Sequence, residues 1–93
     1  MAAKSIIVTG ASKGLGRAIV IELIEKFSNN VIAISRTQKD LIELKQYVEN
    51  DLNEKGKIVI VVGDVTEERV IEEAIEKSIE TWGKLDGVIA NAA

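Results

Sequence analysis

The sequence predicts a three-layer α/β fold, part of a doubly wound parallel sheet, and three observations predict it. Four short runs rich in β-branched residues recur along the chain, at Ser5–Thr9, Val31–Ser35, Lys57–Val62 and Gly87–Asn91. Each is nearly continuous in apolar residues rather than alternating, as in strands buried on both faces. Long amphipathic stretches separate them, and such alternation implies parallel strands joined by right-handed crossovers. Numbered along the chain, the strands are expected in the spatial order 3-2-1-4, with helices on both faces.

The first strand, "SIIVT", runs into a turn with three glycines, "GASKGLG". In the first helical stretch Leu15, Ala18, Ile19, Leu23 and Phe27 follow helical spacing and are expected to face the core. The second strand, "VIAIS", leads through Arg36 to a helix that starts after Thr37, carries Leu41, Leu44, Val48 and Leu52, and is expected to be capped by Gly56. After the third strand, "KIVIVV", Thr66 is the expected N-cap of a third helix. Its stripe is Val70, Ile71, Ala74, Ile75, Ser78, Ile79 and Trp82, ending at Gly83. The fourth strand, "GVIAN", closes the pattern, and no proline interrupts it.

Composition narrows the function. The 93 residues allow one domain at most, and a chain of this size removes only about 60–70% of its unfolded surface from water. A formal charge of −3 with acids and bases interleaved leaves no electrostatic footprint for nucleic acid or an anionic membrane. Cysteine and histidine are absent, which excludes a disulfide framework, a Cys/His zinc site, a cysteine nucleophile and a Ser-His-Asp triad. The apolar run before Gly10 is too short for a signal-peptide core or a membrane span, so a cytoplasmic location is the expectation.

The glycine turn carries the chemistry. A helix N-terminus presents unpaired amides and partial positive charge, a ready seat for a pyrophosphate. Gly10 allows the tight turn, Gly14 leaves room for backbone to approach phosphate, and Gly16 lets the helix pack closely on the sheet. Thr9, Ser12 and Lys13 add hydroxyl and ammonium donors. The spacing G-x-x-x-G-x-G lacks the G-K-[ST] ending of a P-loop, which disfavours nucleoside triphosphate hydrolysis.

At the end of the second strand stands Ser35, where an NAD site usually places an acid for the ribose 2′-hydroxyl. Arg36 follows, and a guanidinium holds a phosphate bidentately, with Ser35 and Thr37 as further donors. With Lys13 reaching from the glycine turn, these residues form a two-cation clamp for a 2′-phosphate, and the expected cofactor is NADP(H). Tyr47 reads as partly exposed packing and Trp82 as core.

Four ordered segments resemble classical short-chain dehydrogenases/reductases. "TGASKGLG" resembles their cofactor loop, "GDVT" (Gly63–Thr66) the end of the third strand, "ANAA" (Ala90–Ala93) the segment closing the fourth, and "GKLDGVIANAA" the approach to it. Ala90 and Ala93 depart from the commonest form of that closing segment. The resemblance implies a Rossmann-like fold and assigns Asp64 and Val65 to the adenine, and Asn91 and Ala92 to the cofactor and the sheet. The cofactor-binding set is then Gly10, Ser12, Lys13, Gly14, Leu15, Gly16, Ser35, Arg36, Thr37, Asp64, Val65, Asn91 and Ala92.

In the resembling family a serine, a tyrosine, a lysine and an asparagine beyond the fourth strand carry hydride transfer between nicotinamide and a carbonyl or alcohol. Residues 1–93 are thus expected to be an incomplete, N-terminal NADP-binding Rossmann domain without catalytic residues and incompetent alone, with an open strand edge through which it self-associates. The alternative is a non-catalytic nucleotide-binding or interaction half-domain. An S-adenosylmethionine methyltransferase half shares the fold but leaves Arg36, Lys13 and the closing segment without a role.

Overall fold

The computed structural model describes residues 3–91. Its elements in chain order are β1 (Ser5–Thr9), α1 (Gly14–Glu25), β2 (Asn30–Ser35), α2 (Gln38–Gln46), β3 (Ile58–Val62), α3 (Glu68–Trp82) and β4 (Gly87–Ile89). All strand pairs are parallel and the order is β3-β2-β1-β4, as the alternation predicts. Ile7 pairs with Ile32 and with Val88, and Ile32 with Val59, so these four side chains share one face of the sheet.

Two apolar layers result. On one side Val8, Val31, Ala33 and Ile58 pack with Val20 and Ile24 of α1 and Leu41 and Leu44 of α2. On the other, Ile7, Ile32, Ile34 and Val61 pack with Val70 and Ala74 of α3. Burying each larger aliphatic side chain contributes about 1.5–3 kcal/mol. The near-continuous apolar strands follow from this, because odd and even positions both meet helices.

The helices differ from expectation in detail. Only Ile19 and Leu23 of the α1 stripe are even half-buried; Ala18 is exposed, and so are Leu15 (69%) and Phe27 (64%). The deeply buried row is Gly16, Val20 and Ile24 instead. Gly16 must lie against the Gly10 carbonyl, and residues four and eight positions on share its face.

Helix α2 keeps its stripe but does not run to Gly56. It widens into a π-helical turn at Tyr47–Asp51, closed by the Leu52 amide donating to the Tyr47 carbonyl at 3.1 Å. Asn53 then takes the left-handed conformation at φ 55°. Gly56 (φ 80°) lies in the next turn, and the Trp82 indole N–H donates to its carbonyl at 3.0 Å.

Glu67, not Thr66, precedes the first turn of α3. Thr66 donates its amide and hydroxyl to Asp64 Oδ1 at 2.9 and 2.7 Å, so Asp64 organises the turn before the helix. Gly83, at φ 77°, ends α3 as expected. Within the expected stripe Val70, Ala74 and Ser78 are buried and Ile71 and Trp82 half-buried, but Ile75 (38%) and Ile79 (49%) are exposed. Strand β4 stops at Ile89 rather than Asn91 and, among the described residues, pairs with β1 alone, at the edge of the sheet. No helix of the described residues is long and apolar enough to cross a membrane.

Candidate functional site

The carboxyl ends of β1, β2 and β3 meet at one rim of the sheet and form an open groove of about 750 Å³. That falls within the range of about 300–1,000 Å³ usual for small-molecule sites. Its lining draws on the glycine turn (Gly10, Ser12, Lys13, Leu15), the end of β2 (Ser35, Arg36, Thr37), the end of β3 (Gly63, Asp64, Val65) and Asn91. Open parallel sheets bind ligands at this place, where the order reverses between β1 and β4.

The turn is built by two glycine conformations and one close approach. Gly10 and Gly14 sit at φ 61° and 54°, a region L side chains rarely adopt. A Cβ on Gly14 would meet nothing within 4 Å, so among protein atoms only its backbone angle calls for glycine. A Cβ on Gly16 would collide with the Gly10 carbonyl and lie 2.6 Å from Asn91 Nδ2. Gly16 is therefore the position where backbone and helix touch.

Hydrogen bonds tie the groove walls together. Asn91 donates its backbone N–H to Thr9 Oγ1 at 2.9 Å and its side-chain amide to the Gly10 carbonyl at 3.3 Å. Ser35 Oγ donates to Ser12 Oγ at 2.8 Å and accepts from the Thr37 amide at 3.1 Å. The Gly63 amide donates to the Ser35 carbonyl at 2.9 Å. Lys13 precedes α1 without a side-chain cap, so the amides of the first turn remain available to an anion.

Both cations reach the groove, and each has a carboxylate neighbour. Arg36 Nη1 lies 3.9 Å from Asp64 Oδ2, and Lys13 Nζ lies 3.5 Å from Asp40 Oδ2. Both basic side chains are more than three-quarters exposed, and such pairs contribute only about 0–1 kcal/mol. The Thr66 amide and then its hydroxyl hold the Asp64 carboxyl below its usual pKa, with Arg36 a smaller contributor. Asp64 is an anion at neutral pH, and its Oδ2, free of the Thr66 bonds, is the oxygen nearest Arg36.

Among the expected site residues, Gly14 and Gly16 do not line this groove: Gly14 borders a separate hollow along α1 with Arg17 and Ala18, Gly16 is packed against the Gly10 carbonyl, and Ala92 lies outside the described residues. The others line the groove together. Leu15, expected both in the core and at the site, is only at the site. Tyr47 is half-buried beneath the Arg17 guanidinium, 5.3 Å from its ring centroid, consistent with packing.

Sequence reading missed Asp40, although its signal was present: Thr37-x-x-Asp40 has capping-box spacing. In the structure Thr37 makes no side-chain cap, and the Asp40 carboxylate turns toward Lys13.

Fold and groove define a nucleotide-binding α/β unit of the doubly wound type. Residues 4–93 match the short chain dehydrogenase family, and the chain belongs to it. An uncharacterized oxidoreductase of Listeria monocytogenes, Lmo0432, is 35% identical over 89 residues, 96% of this chain and 34% of that protein. Glucose dehydrogenase of Caenorhabditis elegans in its apo-form superposes with a TM-score of 0.85 at 30% identity, covering 97% of this chain and 38% of the other. L-Sorbose reductase from Gluconobacter frateurii, complexed with NADPH and L-sorbose, superposes at 0.87 over 100% of this chain and 34% of the other; at 20% identity it shows the fold alone. The chain thus spans about a third of the length of these relatives.

Proposed function

We propose that residues 1–93 form the NADP(H)-binding portion of a short-chain dehydrogenase/reductase that moves hydride between nicotinamide and a small carbonyl or alcohol. One observation carries the cofactor choice: Lys13 and Arg36 line the same groove, and the β2 end between them bears Ser35 rather than an acid. An acid there would accept from a ribose 2′-hydroxyl and repel a 2′-phosphate; two cations reverse that preference.

The groove lining supports a reading in which it takes the adenosine and pyrophosphate part of the dinucleotide. The uncapped amides of α1, with Gly10 and Gly14, seat the pyrophosphate. Arg36, Lys13 and Thr37 hold the 2′-phosphate, while the hydroxyls of Ser12 and Ser35 fix the wall behind it. Asp64 and Val65 flank the adenine, with Val65 packed on the α3-side core. Asn91 keeps the glycine turn seated against β4. When bound, the nicotinamide supplies hydride donation and acceptance. Reduction of a carbonyl, its substrate, and self-association through the β4 edge belong to this same proposal.

Titrating NADPH and NADH against Arg36→Asp tests it. The NADPH-to-NADH affinity ratio should fall by on the order of tenfold or more, the loss of one charge-assisted bidentate contact. An unchanged ratio overturns the clamp.

A further inference from the structure

We propose that Asp40 is a specificity-determining residue of this groove, acting through Lys13 as a positioning residue. Its carboxylate competes with an incoming phosphate for the Lys13 ammonium and limits the preference for a 2′-phosphorylated nucleotide. This rests on the phosphate reading of the groove given above.

Asp40 lies in the first turn of α2, behind the groove wall rather than in it. Its Oδ2 is buried and has no hydrogen-bond partner among the described residues, and Lys13 Nζ, 3.5 Å away, is its charge partner. The exposures are unequal: 21% for the Asp40 side chain and 78% for Lys13. A shielded carboxylate oxygen without a donor depends on a nearby cation, whereas an exposed ammonium is served equally well by water. Asp40 therefore holds Lys13 more than Lys13 needs Asp40.

The second pair is different. Asp64 Oδ1 is satisfied by two Thr66 donors, and Arg36 stands 3.9 Å from the other oxygen. Asp64 keeps its hydrogen bonds when Arg36 turns away. Of the two cations, Lys13 is the one whose departure strands an anion.

A phosphate that recruits Lys13 either leaves Asp40 Oδ2 without neutralisation or places two anionic groups around one ammonium. Both cost more for a doubly charged phosphate than for a hydroxyl. Asp40 thus weakens binding of the 2′-phosphate selectively and leaves the rest of the nucleotide untouched.

Calorimetry with 2′,5′-ADP and with ADP, on the chain as its gene encodes it, tests this. In Asp40→Asn, 2′,5′-ADP should bind on the order of threefold to tenfold tighter, with a steeper salt dependence, and ADP should change less than about twofold. Asp40→Ser should show the same gain, and Asp40→Glu, which keeps the charge, should retain the original preference. In a Lys13→Met background the gain from Asp40→Asn should vanish. Unchanged or weaker 2′,5′-ADP binding in both neutral variants, or a gain that survives without Lys13, overturns the proposal. If Arg36→Asp collapses the nucleotide preference while Asp40→Asn leaves it alone, only the role of Asp40 falls. If Arg36→Asp has no effect, the phosphate reading falls with it.

Discussion

Asn91, two residues past β4, donates its side-chain amide to the Gly10 carbonyl at 3.3 Å, joining the end of the described chain to the glycine turn that follows β1. Gly16 lies against both groups, and its missing Cβ is the space they occupy. The glycine turn is thus fixed by a three-part contact of turn, helix and strand end, reinforced by the Asn91 amide on Thr9 Oγ1.

The two helix-starting glycines should respond differently to alanine. Gly16→Ala forces the Gly10 carbonyl and Asn91 apart and should cost about 1–3 kcal/mol or more. Gly14→Ala meets open space and should cost only the left-handed backbone penalty, about 1–2 kcal/mol. Urea denaturation of both variants checks the order, and a Gly16→Ala protein more stable than Gly14→Ala contradicts it.

A second close approach lies at the end of β3. A Cβ on Gly63 would stand 2.6 Å from Val70 Cγ2, and Val70 is buried. Gly63→Ala should therefore destabilise by about 1–3 kcal/mol. The double variant with Val70→Ala should be more stable than the two single losses added together, because the smaller side chain clears the space. Strict additivity in a double-mutant cycle would show that the contact does not limit packing.

Acid sensitivity should centre on two carboxylates. The Ser5 amide donates to Asp86 Oδ2 at 2.8 Å, and Lys84 Nζ stands 3.2 Å from it; the first and then the second hold the Asp86 carboxyl below its usual pKa. Asp64 is lowered in the same direction by Thr66. A carboxyl whose folded pKa is depressed contributes stability above its unfolded pKa of about 3.9, and that contribution is lost as pH falls through the folded value. Urea midpoints should fall as pH drops below about 4, and Asp86→Asn should flatten that limb. An equally steep limb in the variant excludes Asp86 as a source.

Much of this was legible in the sequence because it depends on local pattern. Strand runs and their separation depend on side-chain type, and the parallel order follows from crossovers of one hand. The glycine turn was legible because positive φ at Gly10 and Gly14 leaves a residue-type signature. Less legible was which face of each helix points inward. Leu15 and Phe27 satisfy a helical stripe as well as Val20 and Ile24 do, and only the seat of Gly16 chooses between them.

Asp40 marks the same boundary. Its spacing from Thr37 is a local capping signal, whereas its use is set by a lysine 27 positions earlier that the fold carries to the same rim. By itself the sequence determined the α/β class, the strand order and the glycine-lined groove, since these follow from periodicity, chain connectivity and backbone angles. Only the tertiary structure decided that Gly16 abuts Asn91, that Thr66 serves Asp64 rather than α3, and that Lys13 meets Asp40. Those contacts join residues distant in sequence or choose between equivalent local partners, and packing alone selects among them.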